Sequence, residues 1–474
     1  MITRRGWMRG AAAASALTVG GSGGWVLQRA IAAGADGFLD IRAAPSLVSL
    51  LGPDQAPTPV WAFNDSVPGP ELRVKQGSRV KVRLRNDLVE PTSIHWHGIR
   101  IANGMDGVPG LTQPLVQPGE SFEYDFVVPD AGTFWYHTHV HTEEQVDRGL
   151  YGPLIVEEKT PLNVDRDVWL IIDDWRLLAN NCIDEATFGD RREWARLGRV
   201  GNTFTVNGTF NPTFDAIRGE RVRIRCVNAC NARLLDFDVF SLPMQMIAVD
   251  GQTFKEPVPY INRNISIAPG QRTDFVVDIP EDGPDRVVVR LFDSGRALPM
   301  ATLRMLDGGR KPRPDKLALV PPDLPAPDLA RARKVNLLIE GGSQSARFRQ
   351  GRNMRANRES GQFWQFNGVS GGSYFGFGTG TPLLDAVKGE TMVVDVVNRT
   401  YFPHALHLHG HHFQVIERDG RAVTGQPWRD VELMEADRQI KIALVADNVG
   451  KWLYHCHMVE HASGGMGGWY NVRA

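Results

Sequence analysis

Hydrophobic and polar residues alternate along most of this chain, and one alternating phrase occurs three times. Residues 77–86 read Gly-Ser-Arg-Val-Lys-Val-Arg-Leu-Arg-Asn, residues 219–228 Gly-Glu-Arg-Val-Arg-Ile-Arg-Cys-Val-Asn, and residues 389–398 Gly-Glu-Thr-Met-Val-Val-Asp-Val-Val-Asn. A period near two between a leading Gly and a closing Asn is a turn followed by a half-buried strand. A related phrase precedes each copy: Phe63-Asn64, Val206-Asn207-Gly208 and Phe366-Asn367-Gly368. Long helical periodicity is scarce, and 49 Gly with 30 Pro supply turns for many short strands. The pattern predicts an all-β chain of three consecutive, homologous Greek-key β-sandwich domains, at about 37–158, 159–325 and 326–474. A Pro-rich stretch from Lys311 to Leu329 links the last two.

Composition narrows the class. With 474 residues, 42% of them hydrophobic and 23% charged, the chain is a multidomain globular protein rather than a disordered or polytopic membrane one. Lys+Arg total 53 against 54 Asp+Glu, so the charge excess typical of nucleic-acid binding is missing. The first 35 residues read as an address. Arg4-Arg5 precede a short apolar run from Ala11 to Val19, and small-residue cleavage patterns follow at Ala30-Ile31-Ala32 and Ala33-Gly34-Ala35. That is the pattern of a twin-arginine signal peptide. It predicts a periplasmic protein exported already folded by the twin-arginine translocase, with no membrane insertion after signal removal. Of the four cysteines, Cys182, Cys226 and Cys230 are expected to be free thiols.

The histidines carry the chemistry. Ten of the thirteen fall in four motifs: His95-Trp96-His97, His137-Thr138-His139, His404-Ala-Leu-His407-Leu-His409, and His455-Cys456-His457 with His461 shortly after. Residues i and i+2 of a strand share a face, so each His-x-His presents two imidazoles side by side. Four such pairs can converge as eight nitrogen ligands. Cys456 points to the opposite face from its two flanking histidines. A Cys, two His and a weak axial Met form a blue-copper set, supplied here by Cys456, His404, His461 and Met466. A structural zinc site wants four Cys-rich ligands and does not match.

These motifs resemble the three-domain multicopper oxidases, which include laccases, over essentially the whole mature chain. The resemblance implies three cupredoxin-like domains and four copper ions. It places a type 1 copper at His404, Cys456, His461 and Met466, and a type 2 copper at His95 and His407. One type 3 copper falls to His97, His137 and His457, and the other to His139, His409 and His455. The middle domain carries no ligand motif, as a spacer would. The resemblance also implies one-electron oxidation of phenols or aromatic amines at the type 1 copper, coupled to four-electron reduction of O2 to water. A periplasmic cuprous oxidase for copper tolerance is the alternative. Its Met-rich insert is missing, since only Met244 and Met246 lie close together. A non-catalytic scaffold of the same fold would have lost the ligands. No nucleic-acid partner is expected.

Asp106 resembles a family carboxylate near the type 2 copper, with a catalytic role in orienting water and relaying protons. Where many bacterial relatives carry an acid directly after the second type 1 histidine, this chain has Ala462. The neighbouring Glu460 is expected to point elsewhere. His461 is expected in a loop, where its edge would take up electrons. His141, His411 and His412 are expected to be solvated or supporting. Arg347, Arg349, Arg352, Arg355 and Arg358 are expected to form a mobile surface loop, with a lid over an anionic substrate as the alternative.

Overall fold

A computed structural model describes residues 34, 36–238, 242–260, 265–293, 295–308, 313, 315–344, 359–371, 380–425 and 427–474. The twin-arginine segment and the stretch from Arg347 to Arg358 lie outside the described residues.

Among the described residues, six sheets stack as three sandwiches. In the first, Thr58–Phe63, Leu39–Val48, Arg79–Asn86 and Ser121–Val127 face Leu72–Lys75, Tyr151–Glu157, Gly132–His137 and His95–His97. A seven- and a five-stranded sheet between Arg166 and Leu306 form the second, and a six- and a five-stranded sheet between Arg333 and Arg473 the third. The threefold phrase is one structural element used three times. Arg79–Asn86, Arg221–Asn228 and Thr391–Asn398 each pair in parallel with the first strand of their own unit, at Leu39↔Val82, Arg166↔Val222 and Arg333↔Met392.

The closing asparagines show why the phrase is repeated. Asn228 Nδ2 donates to the carbonyls of Arg233 (2.9 Å) and Ile267 (2.8 Å), while its Oδ1 accepts from Cys230 N (3.0 Å). Asn86 and Asn398 make the same three-way connection in their own domains. Each amide thus satisfies buried main-chain groups where a strand leaves its sheet. Asn64, Asn207 and Asn367 take left-handed φ values of 53°, 53° and 51°, which Asn tolerates better than most side chains, and each ties back to the opening strand.

The seams between domains decide where a site can form. The first and third domains share one hydrophobic cluster, running from Trp96 and Tyr136 to Trp364, Trp452 and Met466. A separate cluster belongs to the middle domain, and a third joins Trp135 and Tyr151 to Trp169 and Trp175 across the first seam. Cys226 and Cys230 are buried free thiols, and Cys182 is a partly exposed one. No helix among the described residues is long and apolar enough to cross a membrane.

Asn228→Ala removes both donations and the acceptance at once. It should destabilise the protein by on the order of 2–3 kcal/mol, seen as a lower thermal midpoint. An unchanged midpoint would remove this role from the asparagine.

Candidate metal centre

The four histidine motifs meet between the first and third domains. The strand His95–His97 pairs with Gly132–His137, bringing His95 opposite His137, and His404–Leu408 pairs with Gly450–Cys456, bringing His407 opposite His455. His404 and His407 are three positions apart on one strand, so they face opposite ways. One joins Cys456 and the other the remaining imidazoles.

Main-chain carbonyls fix which nitrogen of each ring is bare. Asp106 O accepts from His95 Nδ1 (2.7 Å), Asp430 O from His407 Nδ1 (3.0 Å), Thr138 O from His137 Nδ1 (2.8 Å), and Cys456 O from His455 Nδ1 (2.8 Å). A carbonyl only accepts, so these four rings carry their proton on Nδ1 and present a bare Nε2. Carboxylates fix two more. His409 Nδ1 donates to Asp106 Oδ2 (2.9 Å), and His97 Nε2 to Asp430 Oδ1 (3.1 Å).

The bare nitrogens face one another. His409 Nε2 lies 3.1 Å from His455 Nε2, and His97 Nδ1 lies 3.4 Å from His137 Nε2. Two lone pairs at this range repel unless a cation sits with them. His95 Nε2, His407 Nε2 and both ring nitrogens of His139 are buried with no hydrogen-bond partner, although buried polar atoms are nearly always paired. Burial and neighbouring imidazoles hold His137, His139, His409, His455 and His457 well below the ordinary histidine range, so protonation does not relieve the clash. The donor atoms of His95, His97 and His137, of His95, His407 and His409, and of His139, His409 and His455 all lie within 4.8 Å of one another. A cluster of metal ions fits this chamber.

A second group lies on the far face of Cys456. His404 Nδ1 and His461 Nδ1 are 3.0 Å apart, and Cys456 Sγ lies 3.9 and 3.6 Å from them. The outer nitrogens are anchored: His404 Nε2 donates to Thr400 Oγ1 (2.9 Å) and His461 Nε2 to Arg196 O (2.6 Å). Burial pushes the Cys456 thiol up to about 12, so its thiolate needs an adjacent cation. Met466 is fully buried here, and its carbonyl accepts from Cys456 N (3.1 Å). Two imidazole nitrogens and a thiolate, with a thioether at hand, make a soft donor set that fits copper.

Supporting groups emerge that sequence reasoning missed. Asp430, fully buried, pairs with Arg272 of the middle domain through two contacts of 2.7 and 2.6 Å. Burial opposes its ionisation, but Arg272 and the adjoining imidazoles outweigh this and hold the carboxyl well below the usual range. Asp250 adds its Oδ2 to the main-chain N–H groups of Asp430 (3.1 Å) and Val431 (2.8 Å). The middle domain is therefore more than a spacer: it supplies the counter-charge behind His97 and His407. Gly270 of that domain has φ +79°, and any side chain there would strike the His457 ring. No local motif marks Arg272, 158 residues from its partner.

The remaining residues singled out in the sequence take the following places. Asp106 is buried and touches both His95 and His409, and its Oδ1 has no hydrogen-bond partner. The turn after it must be glycine, since a Cβ on Gly107 (φ +86°) would collide with the Ile94 carbonyl. His461 lies not in a loop but in a short helix, Val459–Ser463, and it is 0% exposed. The first domain's Thr142–Gln145 and the middle domain's Arg191–Trp194 pack on that helix, which shields it from water. Glu460 turns to Asn231 of the middle domain (2.9 Å), and burial pushes its carboxyl up to about 8. His411 donates to or accepts from Tyr470 Oη at 2.7 Å, His412 lies 3.5 Å from Asp430, and His141 is a half-exposed residue 3.7 Å from Glu90.

Stacked sandwiches with a thiolate site on one side of a His-Cys-His strand and an imidazole chamber on the other define a copper-dependent oxidase. Family models described as multicopper oxidase match residues 49–161, 166–297 and 349–474, and the chain belongs to that family. Among solved structures it is similar to a multi-copper oxidase from Pseudomonas thermotolerans, with 32% identity, 91% of this chain and 98% of that one covered, and a TM-score of 0.81. It is also similar to Laccase-1 of Botryotinia fuckeliana, 28% identical over 88% of this chain and 79% of the relative. Copper resistance protein A of Pseudomonas syringae is 32% identical over 58% of this chain and 52% of the relative. Copper is the cofactor, and the enzyme is an O2-using oxidoreductase.

Arg272→Met leaves Asp430 as an uncompensated buried charge, which costs about 3–5 kcal/mol. The variant should melt earlier and bind fewer copper ions per chain than the wild type, as read by metal analysis. Full copper content with an unchanged midpoint would show that the ion pair is dispensable.

Proposed function

We propose that this chain is a laccase-like multicopper oxidase that takes single electrons from small phenols or aromatic amines and delivers four of them to O2. In this reading His404, Cys456, His461 and Met466 hold the type 1 copper, and His95 with His407 the type 2. His97, His137 and His457 hold one type 3 copper, and His139, His409 and His455 the other. The observation that carries the assignment is the set of bare nitrogens facing one another at 3.0–3.4 Å, each with its opposite edge anchored. Bound copper supplies one-electron exchange at the Cys456 end and O2 reduction in the chamber.

The chain's own groups do the rest. Cys456 joins the two sites through its main chain, and its carbonyl accepts from His455, so donor and acceptor ends are one covalent unit. Asp106 holds His409 through Oδ2 and leaves Oδ1 for water in the chamber, the right place for a proton relay. Glu460 faces the middle domain and does not replace the acid that Ala462 lacks. Domain limits at 158/159 and 325/326 and export by the twin-arginine route to the periplasm belong to the same proposal.

Oxidation of Cu(I) is the second reading, favoured by the similarity to a copper resistance protein. Against it, Met244 and Met246 pack in and against the middle-domain core, where they cannot relay a soft ion.

Cys456→Ser should abolish both the blue colour and donor oxidation while leaving the fold intact. A blue, active variant would overturn the ligand assignment. O2 uptake should follow 2,6-dimethoxyphenol without added copper. Uptake with Cu(I) but with the phenol only when copper is added would favour the second reading.

A further inference from the structure

His461 is fully buried, so an organic donor does not touch its ring. Its outer nitrogen instead donates to the carbonyl of Arg196, and Arg196 lines a cavity of about 420 Å³ on the surface beyond. That volume falls in the ~300–1,000 Å³ range of small-molecule sites. The cavity is thus lined by a residue one hydrogen bond from His461. Its wall offers a second approach: Phe363 lines it, and the next residue, Trp364, lies 4.4 Å from the His461 ring between centroids.

The lining has one dominant chemistry. Arg191, Arg192 and Arg196 are three arginines among the described lining residues, and all three are exposed. Asp190 is the one acid among the described lining residues, and its carboxylate accepts from Arg192 N (2.8 Å). Arg191 is steadied by the Glu359 carbonyl (3.0 Å), and Ser343 N by the Ala195 carbonyl (2.8 Å). Both contacts hold the rim across the seam between the middle and third domains. Three positive groups at the mouth repel a cuprous ion and attract an anion.

We infer that this cavity is the donor site and that it selects anionic aromatic donors, phenols carrying a carboxylate or sulfonate. The inference rests on the aromatic-donor reading above. The arginines hold the acidic substituent at the mouth, and the phenol ring lies towards Phe363 and the Arg196 carbonyl. Each donor loses one electron and its hydroxyl proton. Four phenols and one O2 give four phenoxyl radicals and two waters, so the electrons balance without another oxidant.

Syringate (4-hydroxy-3,5-dimethoxybenzoate) and 2,6-dimethoxyphenol share the reacting hydroxyl and its flanking methoxy groups, and differ by one carboxylate. Steady-state kinetics with both donors should be run on the copper-loaded wild type, Arg192→Glu, Arg196→Glu and the milder Arg192→Gln. The ratio of kcat/KM for syringate to that for 2,6-dimethoxyphenol should fall about tenfold in each reversal variant and less in Arg192→Gln. The change should sit in KM, and added salt should lower the wild-type ratio, because exposed charges are screened. Blue absorption in each variant shows that the type 1 site has assembled. A ratio that stays within twofold, with the neutral phenol still oxidised, overturns the inference and leaves the aromatic reading standing. Equal loss on both donors would assign the arginines a structural role and also overturn it. If the wild type oxidises neither phenol, the underlying reading fails.

Discussion

Everything in this molecule depends on burying imidazoles that have nothing to pair with but a metal. Neutral imidazole is tolerable in a protein interior when both nitrogens are hydrogen-bonded. Here one nitrogen of each fixed ring is satisfied by a carbonyl or carboxylate, and the other is aimed at its counterpart on a neighbouring ring. The arrangement is unfavourable by itself, and its stability is linked to copper occupancy. Rigid strands are needed to hold it. Parallel pairing inside each sandwich, buried asparagines at the strand ends and a hydrophobic cluster shared by the first and third domains supply that rigidity.

The middle domain shows how a domain without ligands still governs the chemistry. It reaches the chamber through Arg272 and Asp250, which set the charge and position of Asp430 behind His97 and His407. It reaches the Cys456 site through Asn231, the Arg196 carbonyl and the Trp194 carbonyl, which accepts from Trp364 Nε1 (2.6 Å). Removing this domain would expose one site and leave a buried carboxylate unpaired in the other. Three sandwiches are therefore the smallest unit in which both sites are complete.

Much of this was legible in the chain. The strand period of two explains why His-x-His places both rings on one side and why Cys456 faces away from His455 and His457. The Gly-to-Asn phrase revealed the three-domain order because the same buried amide contacts recur at Asn86, Asn228 and Asn398. What could not be read is long-range. Arg272 and Asp430 have no mutual spacing that a local pattern expresses, and Asp430 lies in an irregular stretch. The surroundings of His461 escape a local pattern for a similar reason. A short segment after a strand looks like a loop, and only the packing of helices from two other domains buries it.

In the proposed reading, burial of the His461 edge that accepts electrons divides the enzyme's work. On the inner side, specificity is fixed by ligand geometry that tolerates little change: the Cys456 carbonyl holds His455 while its thiol meets His404 and His461, so any shift is felt at both sites. On the outer side, the link to a donor runs through a backbone carbonyl and an indole ring, and neither constrains the donor's identity. Discrimination then passes to side chains of the seam that touch no ligand, on a segment of the middle domain. Donor choice can change there through surface residues alone, while the copper chemistry beneath stays fixed.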